Sequence, residues 1–352
     1  MTERRIPVAI LGATGAVGQR MVQLLADHPW FEVVALTGSE RTIGRPYGEL
    51  VRWVLDGAPP PRLAELVVQS SDTPLDVAIA LSALPTDVAQ RVEPLWAAQV
   101  AVCSNASAYR MTPDVPLIVP EVNPDHLGLI ALQRRQRGWR GCLVTNPNCS
   151  AIGVVMAMRP LHDAFGIERA HIATLQAISG AGYPGVSSLD IIDNIIPNIA
   201  DGGEELKIEQ EPRKLLGTLG ATAIDPAALT ISAQVTRVPV IDGHTALLSL
   251  GCARRPDPED AMAVLEGFVP PPLVRDLPSA PRPAIIVHRA GDRPQPRRDR
   301  DAGAGMAASV GRVRTCPLLD LRLVVLSHNT IRGAAGGAIL NAELLVAAGL
   351  LA

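Results

Sequence analysis

The chain has 352 residues, 47% of them hydrophobic and 19% charged, with a formal net charge of -3. That length suits two domains better than one core, and the composition is that of a globular chain rather than a disordered one. So small a net charge gives no field to draw in nucleic acid or an acidic membrane, and no apolar run reaches the roughly 18 residues of a spanning helix. A soluble protein without nucleic-acid or membrane partners is therefore expected.

The N-terminus passes from Arg4 and Arg5 into a short apolar strand and then glycines, without the longer apolar segment of a signal peptide, which predicts a cytoplasmic location. Short apolar runs at 8–11, 33–36, 77–81 and 101–102 alternate with helix-like stretches at 17–26 and 87–98. This is the βαβα rhythm of a parallel sheet covered by helices. Beyond Cys149 the rhythm changes to longer β-rich runs at 169–178, 229–238, 245–253 and 321–326, which predict a second domain of α+β type. Residues 270–283, rich in proline, and 289–301, dense in arginine, aspartate and proline, read as solvated loops. The last segment, 331–351, has helical periodicity and is expected to pack back on the first domain.

The first strand runs into Gly12-Ala13-Thr14-Gly15-Ala16-Val17-Gly18 and then a helix. A strand–turn–helix of this kind lets the backbone approach a pyrophosphate and offers it the free N–H groups of the helix start. The spacing is GxxGxxG, not the usual GxGxxG. After the second strand an NAD site normally carries an acidic residue; here Thr37-Gly38-Ser39-Glu40-Arg41-Thr42 follows. Ser39, Arg41 and Thr42 are suited to a 2′-phosphate, with Glu40 pointing away, so NADP is the expected cofactor.

Five cysteines at wide, irregular spacing predict reduced thiols rather than disulfides or a metal site. Cys103, Cys142, Cys252 and Cys316 lie in or beside apolar runs and read as structural. Cys149 differs, because the polar turn Asn146-Pro147-Asn148 leads into it and an apolar helix, 151–158, follows. A cysteine at a helix N-terminus is placed where the dipole favours thiolate over thiol. His244 follows a strand and a tight turn, Asp242-Gly243; Arg237 is a charge inside a β-patterned run that needs a partner or a ligand. Gln176 is similarly placed just before Ser179-Gly180-Ala181-Gly182. The chain has only two lysines, Lys207 and Lys214.

With these segments on the page, residues from about 6 to 345 resemble the aspartate-semialdehyde dehydrogenases, particularly the fungal and archaeal branch. The resemblance is carried by the glycine turn 12–18, by Thr145-Asn146-Pro147-Asn148-Cys149-Ser150 and by 176–185, which begins Gln176-Ala177-Ile178-Ser179-Gly180. Gly203-Glu204-Glu205-Leu206-Lys207, the run 237–244 and the run 327–336 complete it. It implies a Rossmann-type parallel-sheet domain over 1–148, an α+β catalytic and dimerisation domain with a mixed sheet over 149–327, and a C-terminal helix, 328–352, returning to the first domain. It implies NADPH-dependent reduction of L-aspartyl 4-phosphate to the semialdehyde by a homodimer or homotetramer. Cys149 would be the nucleophile, His244 the acid–base residue, Gln176 an orienting group, and Asn148 a donor to the oxyanion beside the Cys149 N–H. Arg237 would clamp the α-carboxylate, Glu204 the ammonium, and Arg110 with Lys207 the phosphate. Cofactor contacts would come from Gly12, Thr14, Gly15, Ala16, Val17, Ser82, Gly182 and Asn329. Ala151 departs from the threonine often found there. Rival expectations are a malonyl-CoA or other acyl-CoA reductase, a relative acting on another acyl phosphate, and a non-catalytic dinucleotide sensor; Glu204 argues against the first and the intact Cys149 and His244 against the last.

Overall fold

The computed structural model describes residues 5–351. Six parallel strands form the first sheet: β1 (Ile6–Leu11), β2 (Phe31–Gly38), β3 (Gln69–Ser70), β4 (Ile79–Ser82), β5 (Ala101–Ser104) and β6 (Cys142–Thr145). Their order is β3-β2-β1-β4-β5-β6. Every residue of β4, β5 and β6 is buried. Strands covered by helices on both faces must be so, which is why they read as continuous apolar runs. Helices Ala16–Leu25, Thr86–Ala97 and Leu129–Arg137 supply crossovers. The order reverses between β1 and β4, and sheets of this kind take ligands outside the carboxyl ends of the strands at such a reversal.

The second sheet is mixed. It is built from β7 (Ile167–Gln176), β8 (Ile196–Pro197), β11 (Thr230–Arg237), β12 (His244–Cys252), β13 (Ile285–His288), β14 (Ala308–Thr315) and β15 (Leu321–Ser327), with a small hairpin, β9 (Thr218–Leu219) and β10 (Ile224–Asp225), apart from it. β7 pairs parallel with β11 on one side and antiparallel with β12 on the other. The alternating burial along β11 shows a sheet with one covered face, and the cover is the apolar helix Cys149–Phe165 with its neighbours. Arg237 and Gln176 are register partners at the ends of β11 and β7, and His244 opens β12 one residue before Thr245, the register partner of Leu175 at that same end of β7. The ladder therefore delivers three polar side chains to one edge.

The two loops expected to be solvated are not simply so. Within 270–283, Val274 and Leu277 are buried in the core of the first domain, and Ser279 donates to the buried carboxylate of Glu343. Within 289–301, Asp299 is buried and takes hydrogen bonds from Arg293 and the Gln295 amide. The proline content hides apolar residues three apart, and the charges satisfy one another. The C-terminal helix Gly336–Ala347 is buried all along Gly336–Leu345 in the first core, entered through a π-helical turn, Ile331–Ala335. A helix apolar all round belongs inside. Among the described residues no helix is long and apolar enough to cross a membrane.

That π-helical turn is anchored by an ion pair with no exposure on either side, Arg332 Nη2 to Glu121 Oε2 at 2.6 Å. Removing one member leaves an uncompensated buried charge, whereas an apolar pair of similar volume is far less costly. Arg332→Met should lower the unfolding free energy by about 3–5 kcal/mol, and adding Glu121→Leu should recover much of that loss. Equilibrium urea unfolding of both variants checks it; a single variant as stable as the parent would remove the pair from this role.

Candidate active site

The glycine turn sits at the reversal point of the first sheet. Gly12 has φ +75°, and a Cβ built there would fall 2.9 Å from the Ala83 carbonyl oxygen, so the turn after β1 can close only with glycine. The helix that follows has Gly15 at its N-cap with no side chain capping it. The N–H groups of its first turn, around Ala16 and Val17, therefore remain open to an anion. Across the β1–β4 ladder from Leu11 stands Ser82, whose Oγ is buried and without a hydrogen-bond partner among the described residues. An uncapped helix start and an orphaned hydroxyl at the switch point fit a dinucleotide. Thr14 turns its carbonyl to Gln19 Nε2. After β2, the Thr42 hydroxyl already donates to the Ser39 carbonyl at 2.7 Å, which leaves the exposed Ser39 and Arg41 as the free donors of that turn.

Cys149 is the first residue of the helix Cys149–Phe165. Its N-cap, Asn148, accepts from the Ser150 and Ala151 amides through Oδ1 and donates through Nδ2 to Glu204 Oε1 at 2.6 Å. The Asn148 carboxamide thus caps the helix and anchors Glu204 with one of its two Nδ2 hydrogens, and the N–H of Cys149 is the one the cap does not cover. Buried Ala151 likewise gives its amide to the cap, a contact that a threonine there would not need its hydroxyl to make.

Cys149 Sγ lies 3.2 Å from His244 Nε2. On the far side of the ring, Nδ1 accepts the peptide N–H of Ala177 at 3.0 Å. Gly180 closes over the ring edge; a Cβ there would fall 2.7 Å from Arg237 Nη1 and 2.9 Å from His244 Cε1. Arg237 is buried and donates to the Ala177 carbonyl at 2.8 Å, with Gln176 Oε1 at 3.5 Å. Gln176 Nε2 approaches Thr174 Oγ1 and, at 3.5 Å, Glu204 Oε1.

The surroundings of the thiol work against the expected thiolate. Burial first, then the Glu204 carboxylate, push the Cys149 thiol up to about 12, against the pull of Arg110, Arg237 and Lys207. Burial and the Arg237 charge push the His244 imidazole down to about 3. A helix dipole acts on a thiol, but desolvation here acts more strongly. Burial also opposes ionisation of Glu204, yet Lys207 and the Asn148 and Lys207 hydrogen bonds outweigh it and hold its carboxyl below the usual range.

The two residues expected at the phosphate are already partnered. Lys207 Nζ lies 3.1 Å from Glu204 Oε2, one helical turn away. Arg110 donates to Glu211 Oε1 at 3.0 Å and to the Asn105 carbonyl at 2.7 Å, while its buried Nε has no partner among the described residues. Glu211 was missed from the sequence; its second oxygen accepts the Asn148 peptide N–H at 2.6 Å, tying the Arg110 loop to the nucleophile. Lys214 was also missed and donates to the carbonyls of Arg110, Thr112 and Val115. Glu204, Lys207, Glu211 and Lys214 fall three, four and three residues apart on the helix Gly203–Leu215, one stripe that the spacing alone displays. Asn329, expected at the cofactor, has both ends of its amide engaged: Oδ1 accepts from the Gly243 N–H and Nδ2 donates to Ser179 Oγ. It clamps the loops that carry His244 and the exposed Gly182.

Residues 7–130 match the semialdehyde dehydrogenase NAD-binding domain family, and residues 158–332 the semialdehyde dehydrogenase dimerisation domain family. The aspartate-semialdehyde dehydrogenase of Archaeoglobus fulgidus is 50% identical over 97% of this chain and 98% of its own length, and that of Schizosaccharomyces pombe 46% identical over 98% and 99%. Among solved structures, the Candida albicans aspartate semialdehyde dehydrogenase with NADP superposes with a TM-score of 0.90 at 42% identity, covering 99% of this chain and 100% of that one. The Vibrio cholerae aspartate semialdehyde dehydrogenase II complexed with ASA follows at 0.76 and 30%, over 98% and 99%. With both domain families matched and the identity sustained from end to end, the chain belongs to the aspartate-semialdehyde dehydrogenase family.

Proposed function

We propose that the chain reduces L-aspartyl 4-phosphate to L-aspartate 4-semialdehyde with NADPH through a thioester on Cys149. Aspartate-semialdehyde dehydrogenase activity follows from the family and from identity at this level over nearly the whole length. The observation that carries the thioester reading is the Cys149–His244 contact at 3.2 Å on a helix N-terminus, ringed by Arg237, Glu204 and Arg110. Cys149 attacks the acyl carbon and phosphate leaves, toward Arg110 and Lys207. The bound dinucleotide supplies the hydride. Gly12, Gly15, Ala16 and Val17 would hold its pyrophosphate at the turn, Ser82 and Gly182 would add contacts, and Ser39 with Arg41 would take the 2′-phosphate. His244 and the Cys149 N–H serve the oxygen of the tetrahedral intermediate.

Substrate choice is a matter of matched charge. Arg237 meets a carboxylate as a planar fork, and Glu204, held as an anion, meets an ammonium. A malonyl thioester has no ammonium to offer, so the acyl-CoA reading would leave a buried carboxylate facing an uncharged group. The dimerisation domain carries the open face of the second sheet, where Leu175 and Leu247 are exposed beside a groove of about 290 Å³ lined by Arg312, Arg314 and Arg322. A second copy covers that face in our reading, giving a homodimer or a tetramer built from it.

The direct test incubates the protein with aspartate semialdehyde, phosphate and NADP+ and follows the reduced cofactor, with a CoA arm in parallel; activity only with CoA would overturn the substrate. Cys149→Ala should lower turnover by about 10⁴-fold or more while dinucleotide binding, read by fluorescence titration, persists. Turnover near that of the parent would end the thioester route.

Arg237→Lys keeps the charge but loses the fork, and should raise KM for the semialdehyde. Arg110→Ala should instead raise KM for phosphate, by about 10- to 150-fold for a lost charge-assisted bond of about 1.5–3 kcal/mol. If each variant weakened the other ligand, the two ends of the pocket would be reversed. For the cofactor, Arg41→Ala should narrow the ratio of kcat/KM for NADP over NAD. Equal values for the two cofactors in the unaltered protein would count against the reading of the turn after β2.

A further inference from the structure

Resting on that reading of the substrate, we propose that Glu205 and Glu209 are positioning residues: by accepting from the outer edge of β11 they fix the helix Gly203–Leu215 against that strand and so set the spacing of Glu204 from Arg237. β11 is the last long strand of the second sheet. Beyond it β8 pairs only with Thr236 and Arg237, so the backbone upstream would stand as an open edge. Such an edge is a template for another strand. Here the Ala233 N–H donates to Glu209 Oε1 at 3.0 Å and the Val235 N–H to Glu205 Oε1 at 3.3 Å. Two carboxylates stand where a neighbouring strand would offer its carbonyls.

The two repeats fit each other. Four residues of helix, from Glu205 to Glu209, rise about 6 Å, and two residues of strand, from Ala233 to Val235, rise about 6.6 Å. Helix and strand therefore meet at two points in one register, and a shift of the helix by one residue would turn both carboxylates about 100° round its axis, off the edge. Apolar packing alone does not give this. Ile208 and Leu215 of the helix share a core with Ile231, Ala233 and Val235, but burial of that kind has no direction, whereas a hydrogen bond to a carboxylate has one.

What the clamp holds is the amino-acid end of the pocket. On the helix the apolar stripe of Ile208 and Leu215 runs between the two edge carboxylates and the stripe of Glu204, Lys207, Glu211 and Lys214. Glu204 directly precedes Glu205, and Arg237 follows Val235 by two residues, so the buried pair that would take ammonium and carboxylate is divided between the two elements that the clamp joins. Asn148 anchors the Glu204 carboxylate, but it does so from the cysteine helix and not from β11. The phosphate end differs. Lys207 rides on the helix and Arg110 is tied to it through Glu211, so those two groups move together. Slippage of the helix along β11 would change the first spacing and spare the second.

The experiment compares two double variants, Glu205→Ala with Glu209→Ala and Glu205→Gln with Glu209→Gln, by KM for aspartate semialdehyde, KM for phosphate, and amide hydrogen exchange of a peptide spanning β11. The glutamine pair keeps both acceptor oxygens and should match the parent in all three. The alanine pair should lose exchange protection in β11 and raise KM for the semialdehyde by about 10-fold, with KM for phosphate held within about 2-fold. Should the alanine pair fail to fold, Glu209→Ala alone carries the same comparison, with an expected rise of about 3-fold. A parental KM for the semialdehyde in the alanine variant would overturn the proposal, as would equal rises for both ligands or a glutamine pair that fails as the alanine pair does. A parent that ignores aspartate semialdehyde would instead overturn the substrate reading. Exchange needs no substrate, and unchanged protection in the alanine variant would overturn the clamp itself.

Discussion

A carboxylate buried away from water must have its lone pairs met, and Glu211 is the point where that requirement organises the pocket. It is 2% exposed, and its two oxygens take the Arg110 guanidinium and the Asn148 amide. One side chain thus fixes the distance between the loop that carries Arg110 and the residue before Cys149. Asn148 passes the constraint on: its carboxamide caps the cysteine helix and holds Glu204, which in turn holds Lys207. Glu204, Glu211 and Lys214 are tolerated in the interior because each has a partner across the pocket, while half-buried Lys207 pairs with Glu204 on the same helix.

The same enclosure sets the protonation of the dyad. His244 is buried and Cys149 half-buried, so neither a thiolate nor an imidazolium is well solvated, and burial raises one group and lowers the other. The positive groups around Cys149 pull the thiol toward ionisation without overcoming burial and Glu204, and in the proposed reading they would meet an incoming anion. On that reading, a substrate carboxylate would supply the charge that Arg237 lacks in its absence, whereas Arg110 already holds Glu211. Preorganised donors of this kind gain from a low dielectric what they would lose in water.

Much of this was legible beforehand. The parallel first sheet follows from short apolar runs alternating with helix-like stretches, and the turn 12–18 from the glycines after β1, whereas the strand order does not. The position of Cys149 at a helix start was equally readable, because Asn148 is a strong N-cap ahead of an apolar run. What the sequence hid was second-order in the chain. Glu211 and Lys214 look like solvated charges until the stripe shared with Glu204 is noticed, and their partners are about 100 residues distant. The cost of burying the thiol was also invisible, because a motif reports the dipole at a helix end and not how many walls surround it. The loops at 270–283 and 289–301 were misread since proline and arginine density outweighed Val274, Leu277 and Asp299.

Where the two cores meet explains why the nucleophile stands there and not deeper in either. From β6 the chain passes through Asn146, whose N–H reaches the Ser104 carbonyl of β5, and within three residues it has entered the helix that covers the second sheet. The π-helical turn closes against this crossing: a Cβ on Gly333 would fall 2.8 Å from that of Cys149, and Arg332 beside it holds Glu121 in the first domain. A nucleophile at such a joint can meet a cofactor held by one sheet and a substrate held by the edge of the other. It also follows that slippage between the domains would move Sγ relative to both. A buried ion pair adds little net stability over an apolar pair, but its directed, charge-bearing hydrogen bond penalises displacement steeply. Arg332 and Glu121 are thus better understood as fixing the position of the joint than as strengthening it.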